Sequence, residues 1–221
     1  MKKLLLIFLY FSIICLCSVV AQTFNGSAGH MADNNSTEFT ALVSGLNPSV
    51  IDTANFGLEK VCVDIDHTWD DDVMLRLVAP DGQSVMLVNS IGDSENNFTE
   101  TCFTADASES ITSGSPPFTG TFRPMGVLGL VNNGQVGNGT WKLIATDLQA
   151  GDDGEVLGWS ITFGDDPATY HSLSSSNLPL VIINTNNQNI QDDPKIMADM
   201  GIIYNGSGVR NYRTDAFNHY S

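Results

Sequence analysis

Residues 61–88, VCVDIDHTWDDDVMLRLVAPDGQSVMLV, narrow what this chain can fold into more than any other stretch. Val61, Val63 and Ile65 alternate with Cys62, Asp64 and Asp66, the period of a strand with one buried face. Val73, Leu75 and Leu77 alternate in the same way with Met74, Arg76 and Val78. Ala79-Pro80-Asp81-Gly82 then reads as a turn, because proline holds φ near about −65° and glycine is free to take a positive φ. Residues 85–88 supply a third apolar run, so the stretch predicts a three-stranded meander. Between its first two strands stand Asp70, Asp71 and Asp72, beside His67 and Trp69. This acid cluster is the most functional-looking feature of the chain, and it has the look of a binding module rather than an active site.

The rest of the chain extends the pattern. Residues 22–56 are rich in Asn, Ser and Gly and hold one short apolar run, 39–43, which predicts one or two loosely held strands. A loop at 89–100 leads into a short strand segment at 101–103, and an irregular stretch at 110–117 precedes a Gly/Asn-rich loop that runs to Gly139. Residues 140–146 alternate again, with Trp141, Leu143 and Ala145 on one side. An acidic turn at 147–155 and a last strand at 156–163 follow. No helical period runs through residues 24–164. Many short strands separated by Gly, Pro and Asn turns predict an all-β sandwich, and about 140 residues are enough to bury its core.

Residues 165–176 read as a linker by composition. Beyond it, 178–184 and 196–204 are apolar-rich runs within a segment of about 45 residues, too short to fold well alone. The expectation over 177–221 is an incomplete β-rich segment, mostly disordered, that begins a second domain.

The chain opens as a secretory signal peptide over residues 1–21. Lys2 and Lys3 are its charged region, 4–16 its apolar region, and Val19 and Ala21 the small residues before a cut that leaves Gln22 first. A retained anchor is the alternative, but the apolar run falls short of the roughly 20 residues a spanning helix needs. The protein is therefore expected to be secreted or held at the cell surface, with no membrane contact once the signal is cut. Cleavage removes two lysines and no acid, so 7 of 9 basic residues remain against 25 acidic ones, and the formal charge goes from −16 to −18. A surface of that sign repels nucleic acid and anionic membranes and suits a solvated protein or a cation binder. Of the four cysteines, Cys62 and Cys102 survive cleavage. An even pair in an exported chain predicts one disulfide, which would stabilise the fold by about 3–4 kcal/mol; two buried thiols are the alternative.

Residues 24–164 resemble a P domain, the P/Homo B module of kexin- and furin-type proprotein convertases. The resemblance rests on 61–66 followed by His67-Thr68, on Asp72-Val73 and on Leu77-Val78-Ala79-Pro80-Asp81-Gly82. It continues through Gly120-Thr121-Phe122-Arg123-Pro124, Gly139-Thr140-Trp141-Lys142-Leu143, Asp147, Asp153-Gly154 and 159–163. It implies a jelly-roll β-sandwich related to galactose-binding domains, over 22–164. It also implies a non-catalytic partner that stabilises or targets an attached domain, in a family associated with serine-type endopeptidases. The tail, through Leu178-Pro179-Leu180-Val181-Ile182-Ile183-Asn184-Thr185, Asp192-Asp193-Pro194-Lys195-Ile196 and Ile202-Ile203-Tyr204-Asn205-Gly206, resembles the opening of a CotH-type domain. That family includes spore-coat protein kinases, so a second reading is the front of a larger secreted kinase; its catalytic residues lie beyond the segment matched.

Catalytic residues are not expected within the chain. None of His30, His67, His171 and His219 stands near a nucleophile motif, and there is no H-E-x-x-H, zinc-type Cys spacing or phosphate loop. His67 matches the His-Thr pair of the P domain and is read as a structural histidine at a strand end. Calcium is the one cofactor worth arguing for, since it takes six to eight oxygens, often from carboxylates and loop carbonyls. Asp70, Asp71 and Asp72 at one strand entrance and Asp147, Asp152 and Asp153 in the last turn are the candidate ligands, with Asp93, Glu95 and Asp106 as further oxygen sources. Their spacing fits no EF-hand, and solvated loop acids are the alternative. The expected partner is an attached or downstream domain of a larger protein. A carbohydrate-binding jelly roll rests on fold analogy alone, because Trp69, Trp141 and Trp159 sit in strand contexts that favour burial.

Overall fold

The structure, a computed structural model, describes residues 20–170, 175–185, 195 and 197–220. The signal-peptide reading falls on residues 1–19 almost entirely and so lies outside the described residues. Contacts divide the chain into two compact units, 1–170 and 171–221. Among the described residues no helix is long and apolar enough to cross a membrane.

The first unit is built from β1 (Gln22–Asn25), β2 (Gly29–Met31), β3 (Ser36–Val43), β4 (Val50–Asp52), β5 (Gly57–His67), β6 (Val73–Val78), β7 (Ser84–Asn89), β8 (Phe98–Thr104), β9 (Gly120–Phe122), β10 (Asn133–Val136), β11 (Gly139–Asp147) and β12 (Gly154–Gly164). One sheet runs β1-β12-β5-β8-β9, with β2 also on β12; the other runs β3-β11-β6-β7; β4 and β10 pair separately. Ladders are antiparallel except β8–β9, which is parallel. The fold is the all-β sandwich that the alternation predicts. Val61, Val63 and Ile65 of β5, Val73, Leu75 and Leu77 of β6, and Trp141, Leu143 and Ala145 of β11 are all buried in one core. Trp141 meets Phe163 edge-on at 5.4 Å, and its indole N–H donates to the Gly137 carbonyl at 2.8 Å.

Two expectations are corrected. The stretch 61–88 is not a meander within one sheet: β5 lies in the six-stranded sheet, and the chain crosses to the other before β6 and β7. Period-two alternation marks a buried face but does not say which sheet the strand joins. Residues 22–56 hold four strands instead of one or two, and β3 pairs with β11 over its whole length. Its buried side chains are Phe39, Ala41 and Val43; Leu42 between them faces solvent, and the polar residues 36–38 ahead of them hide the full length of the strand.

A buried asparagine fastens the end of this unit. Asn132 accepts from the Leu58 amide at 2.8 Å and donates to the carbonyls of Leu58 and Ala168, both at 2.9 Å. Gly57 packs against it so closely that a Cβ there would sit 2.5 Å from the Asn132 side-chain oxygen.

The second unit contains β13 (Ser175–Ser176), β14 (Leu180–Asn184), β15 (Asp199–Ile203), β16 (Asn211–Tyr212) and β17 (His219–Tyr220). They pair as β13–β16 and β14–β15–β17. The described residues here form paired strands, where a mostly disordered tail was expected. Leu180, Ile203 and Asn211 are buried, and the Asn211 side chain bonds Leu178 O at 2.9 Å and Asn205 N at 2.7 Å. Polar contacts of this kind leave no trace in hydrophobic periodicity.

Candidate functional site

Three polar segments meet at one end of the sandwich. A single 3-10 turn, Asp70–Asp72, links β5 to β6; the loop at 90–97 precedes β8; and the turn at 148–153 joins β11 to β12. Backbone bonds stitch them together: Asp70 N–H to Glu95 O at 2.9 Å, Asp71 N–H to Asp93 O at 3.2 Å, and Leu148 N–H to Asp72 O at 2.9 Å. Thr68 adds a bond from its hydroxyl to the Asp152 carboxylate at 2.8 Å. The two carboxylate groups singled out in the sequence therefore share one end, and Asp93 and Glu95 join them. Asp106 follows the opposite end of β8 and does not.

Within this end the carboxylates differ sharply in burial. Asp70, Asp72 and Asp147 are buried, Asp152 is half-buried, and Asp71 and Asp153 are exposed. Asp72 is pushed above the ordinary carboxylate range, first by desolvation and then by the charges of Asp147 and Asp152. Among the described residues no three His, Cys, Asp or Glu side chains are already gathered as a metal-ligand set.

His67, the last residue of β5, is fully buried. Its Nδ1 accepts from the Trp69 amide at 3.1 Å, which leaves Nε2 to carry the ring proton. That nitrogen faces Asp147 Oδ2 at 3.5 Å. Gly154 closes the other side, where a Cβ would lie 2.4 Å from the imidazole. Both ring nitrogens are thus turned to protein groups. Asn97, which sequence reasoning missed, receives the His67 amide on its side-chain oxygen at 3.0 Å and holds φ at 78°. An Asn in a turn is the usual non-glycine choice for a positive φ, and that is the one signal the sequence carried.

Asp70 is the anomaly of the site. It is 0% exposed, and neither carboxylate oxygen is held by a well-formed hydrogen bond. Burial, aided by the Glu95 charge and opposed by the Asn97 amide, pushes its pKa up to about 7. The folded state then keeps a proton that the unfolded chain loses near pH 4. Stability is therefore drained between about pH 4 and pH 7, with the full loss above the folded value. A shift of that size corresponds to about 4 kcal/mol, and burying a neutral amide in its place costs about 1–2 kcal/mol. Asp70→Asn is expected to stabilise the protein by about 2 kcal/mol at pH 8 and by nothing at pH 4. Urea unfolding of both proteins in chelator at the two pH values checks this; equal stabilities at pH 8 would show that the carboxylate is solvated.

Of the tryptophans, Trp141 and Trp159 are buried, whereas Trp69, expected to be buried, is 42% exposed beside the acid turn. The disulfide is formed: Cys62 stands directly opposite Cys102 in the β5–β8 ladder.

Residues 59–163 match the proprotein convertase P-domain family. The P-domain match thus runs from within β5 through most of β12 and includes the whole polar end just described, while the second unit lies outside it. The chain is 31% identical over 147 residues to the transglutaminase-activating metalloprotease of Streptomyces mobaraensis, covering 64% of this chain and 16% of that protein. It is 34% identical over 104 residues to leupeptin-inactivating enzyme 1 of Streptomyces exfoliatus, covering 47% of this chain and 18% of that protein. The chain therefore spans less than a fifth of either relative. A serine protease of Aeromonas sobria, solved in complex with a chaperone, aligns with 66% of this chain and 26% of its own, at 22% identity and a TM-score of 0.37.

Proposed function

We propose that residues 22–164 are an exported, non-catalytic P-type module that stabilises or targets an attached domain of a proteolytic protein. The observation that carries this reading is the match over 59–163, in a region that the chain also shares with a small part of a metalloprotease. The resemblance to convertases of the subtilisin type points to the same region. A segment common to metal-dependent and serine-dependent proteases is not where their chemistry resides, because the two mechanisms use different groups. The buried histidine supports it: its nitrogens face the Trp69 amide and Asp147, and its ring has no exposed surface to offer a substrate.

A chimera tests the proposal. The segment of the Streptomyces mobaraensis metalloprotease that aligns with this chain is replaced by residues 22–164, and thermal inactivation is compared with that of a protease lacking the segment. Restored half-life is the expected result. A chimera no more durable than the truncated enzyme, or casein hydrolysis by this chain itself, overturns the reading.

Calcium is the ion we propose for the polar end, where the charges of Asp147 and Asp152 both bear on Asp72 and a cation would relieve the repulsion. Asp70, Asp71 and Asp153 complete the candidate carboxylates. An ion at about a hundred times its dissociation constant adds roughly 2.7 kcal/mol. The melting temperature is expected to rise with calcium and fall with chelator, and Asp72→Asn is expected to abolish the difference. A melting temperature indifferent to chelator argues against the ion.

A further inference from the structure

A concave feature lies on the outer face of the six-stranded sheet, and neither the histidine site nor the carboxylate turn explains it. Asp64 is among its lining residues. Both strands that flank β5 carry a bulge at the level of this residue. On one side β8 sets Thr99 and Glu100 against Asp64, between the register pairs Val63–Thr101 and Ile65–Phe98. On the other, β12 inserts Leu157 between the pairs Val156–Ile65 and Gly158–Asp64. A bulge re-aims one side chain and bends its strand, and two of them on opposite sides of one residue produce a dent in the sheet. The dent has a volume of about 370 Å³, and its lining is mainly apolar: Leu157, Gly158 and the Cys62–Cys102 disulfide, with Asp64 and Glu100 among its polar groups.

Three features mark it as more than a surface irregularity. Glu100 holds φ at 50°, a left-handed conformation that is costly for a residue with a Cβ. Strain of this kind persists where the surroundings impose it, and it clusters at sites that bind. Leu157, at 51% exposed, turns its side chain to solvent in the middle of the sheet. Among the described residues, neither the Asp64 nor the Glu100 side chain has a hydrogen bond or an ion pair. Two unpaired carboxylates therefore share one apolar dent on a strongly acidic protein.

We infer that this double-bulge dent is a docking site for an arginine side chain presented by a partner polypeptide. A planar guanidinium satisfies two carboxylates at once through charge-assisted hydrogen bonds, and its aliphatic stem lies on apolar surface such as Leu157 and the disulfide. A calcium ion does not suit the dent, because it needs six to eight oxygens and the lining is mostly apolar. Charge complementarity points the same way, since a formal −16 draws basic segments in. The inference deepens the module reading by naming a surface on which an attached or partner protein sits.

The test is a nuclear magnetic resonance titration of the full chain with a short blocked alanine peptide that carries one arginine, in chelator. Saturable shifts are expected at the amides of 62–64, 100–102 and 157–160. Affinity is expected to fall about tenfold with Asp64→Asn, and similarly when citrulline replaces the arginine, as loss of one charge-assisted contact predicts. Rising salt weakens it. Glu100→Gly separates binding from structure: it relieves the left-handed strain, so the melting temperature holds or rises while binding is lost. Shifts that do not saturate, equal binding of the citrulline peptide, or shifts centred on 67–72 and 147–153 overturn the proposal. If the peptide fails while the protease chimera is still stabilised, the docking site falls and the module reading stands.

Discussion

Replacing Cys62 and Cys102 together by alanine is expected to lower the stability of the sandwich by about 4 kcal/mol and its melting temperature by roughly 10 °C. The two residues are 40 apart in sequence and face each other across the β5–β8 ladder. The loop they close contains β6, β7 and the chain's passage to the second sheet and back. Releasing it gives the unfolded chain back the entropy of a long loop, while the native ladder on either side of the pair stays intact. The destabilisation therefore acts mainly through the unfolded state, and the denaturant slope is expected to rise because that state exposes more surface. Urea unfolding of the two proteins measures both quantities. A loss below about 1 kcal/mol would mean that the unfolded chain is already constrained without the bridge.

Asn132→Ala is expected to cost about 3–4 kcal/mol. Its side chain makes three buried hydrogen bonds to backbone groups of Leu58 and Ala168, which belong to segments far apart in sequence. Removing it strands the Leu58 amide and the Ala168 carbonyl away from water, at about 1–3 kcal/mol each before any water enters to replace the side chain, while the Leu58 carbonyl keeps its bond from the Ala168 amide at 2.8 Å. Asn132→Asp is the informative companion: it retains an acceptor for the Leu58 amide but loses both donated bonds, so its loss is expected to be comparable, despite equal volume. Thermal unfolding of the three proteins checks the ranking. If alanine and aspartate both cost less than 1 kcal/mol, solvent reaches these groups and the residue is not the fastener described here.

Much of the fold could be read from residue order. Alternation in 61–66, 73–78 and 140–146 located β5, β6 and β11 and named the side chains that fill the core. β3 was under-read because its apolar residues are few, and β10 because it sits inside a Gly/Asn-rich stretch where turn chemistry dominates the reading. At the polar end, the acid clusters were legible as clusters, but not their states. Asp70 and Asp71 are neighbours of the same type, yet one is fully buried without a well-formed hydrogen bond to its carboxylate and the other is exposed. The difference arises from the 90–97 loop folding over Asp70, an event set by Gly92 and by bonds to Asp93 and Glu95 rather than by anything within residues 70–72.

By itself the sequence determined the all-β class, the identity of the inward faces, the cysteine pair able to close and the acidic surface. These depend on local periodicity and composition, which neighbouring residues in the chain already express. Tertiary structure alone decided which strands share a sheet and which nitrogen of His67 meets Asp147. It also decided that Asn132 ties Leu58 to Ala168, and that two bulges meet at Asp64. Each of these joins residues far apart in sequence, and the energy that selects them comes from register, burial and hydrogen-bond satisfaction across the assembled sandwich, quantities that have no value until the strands are side by side.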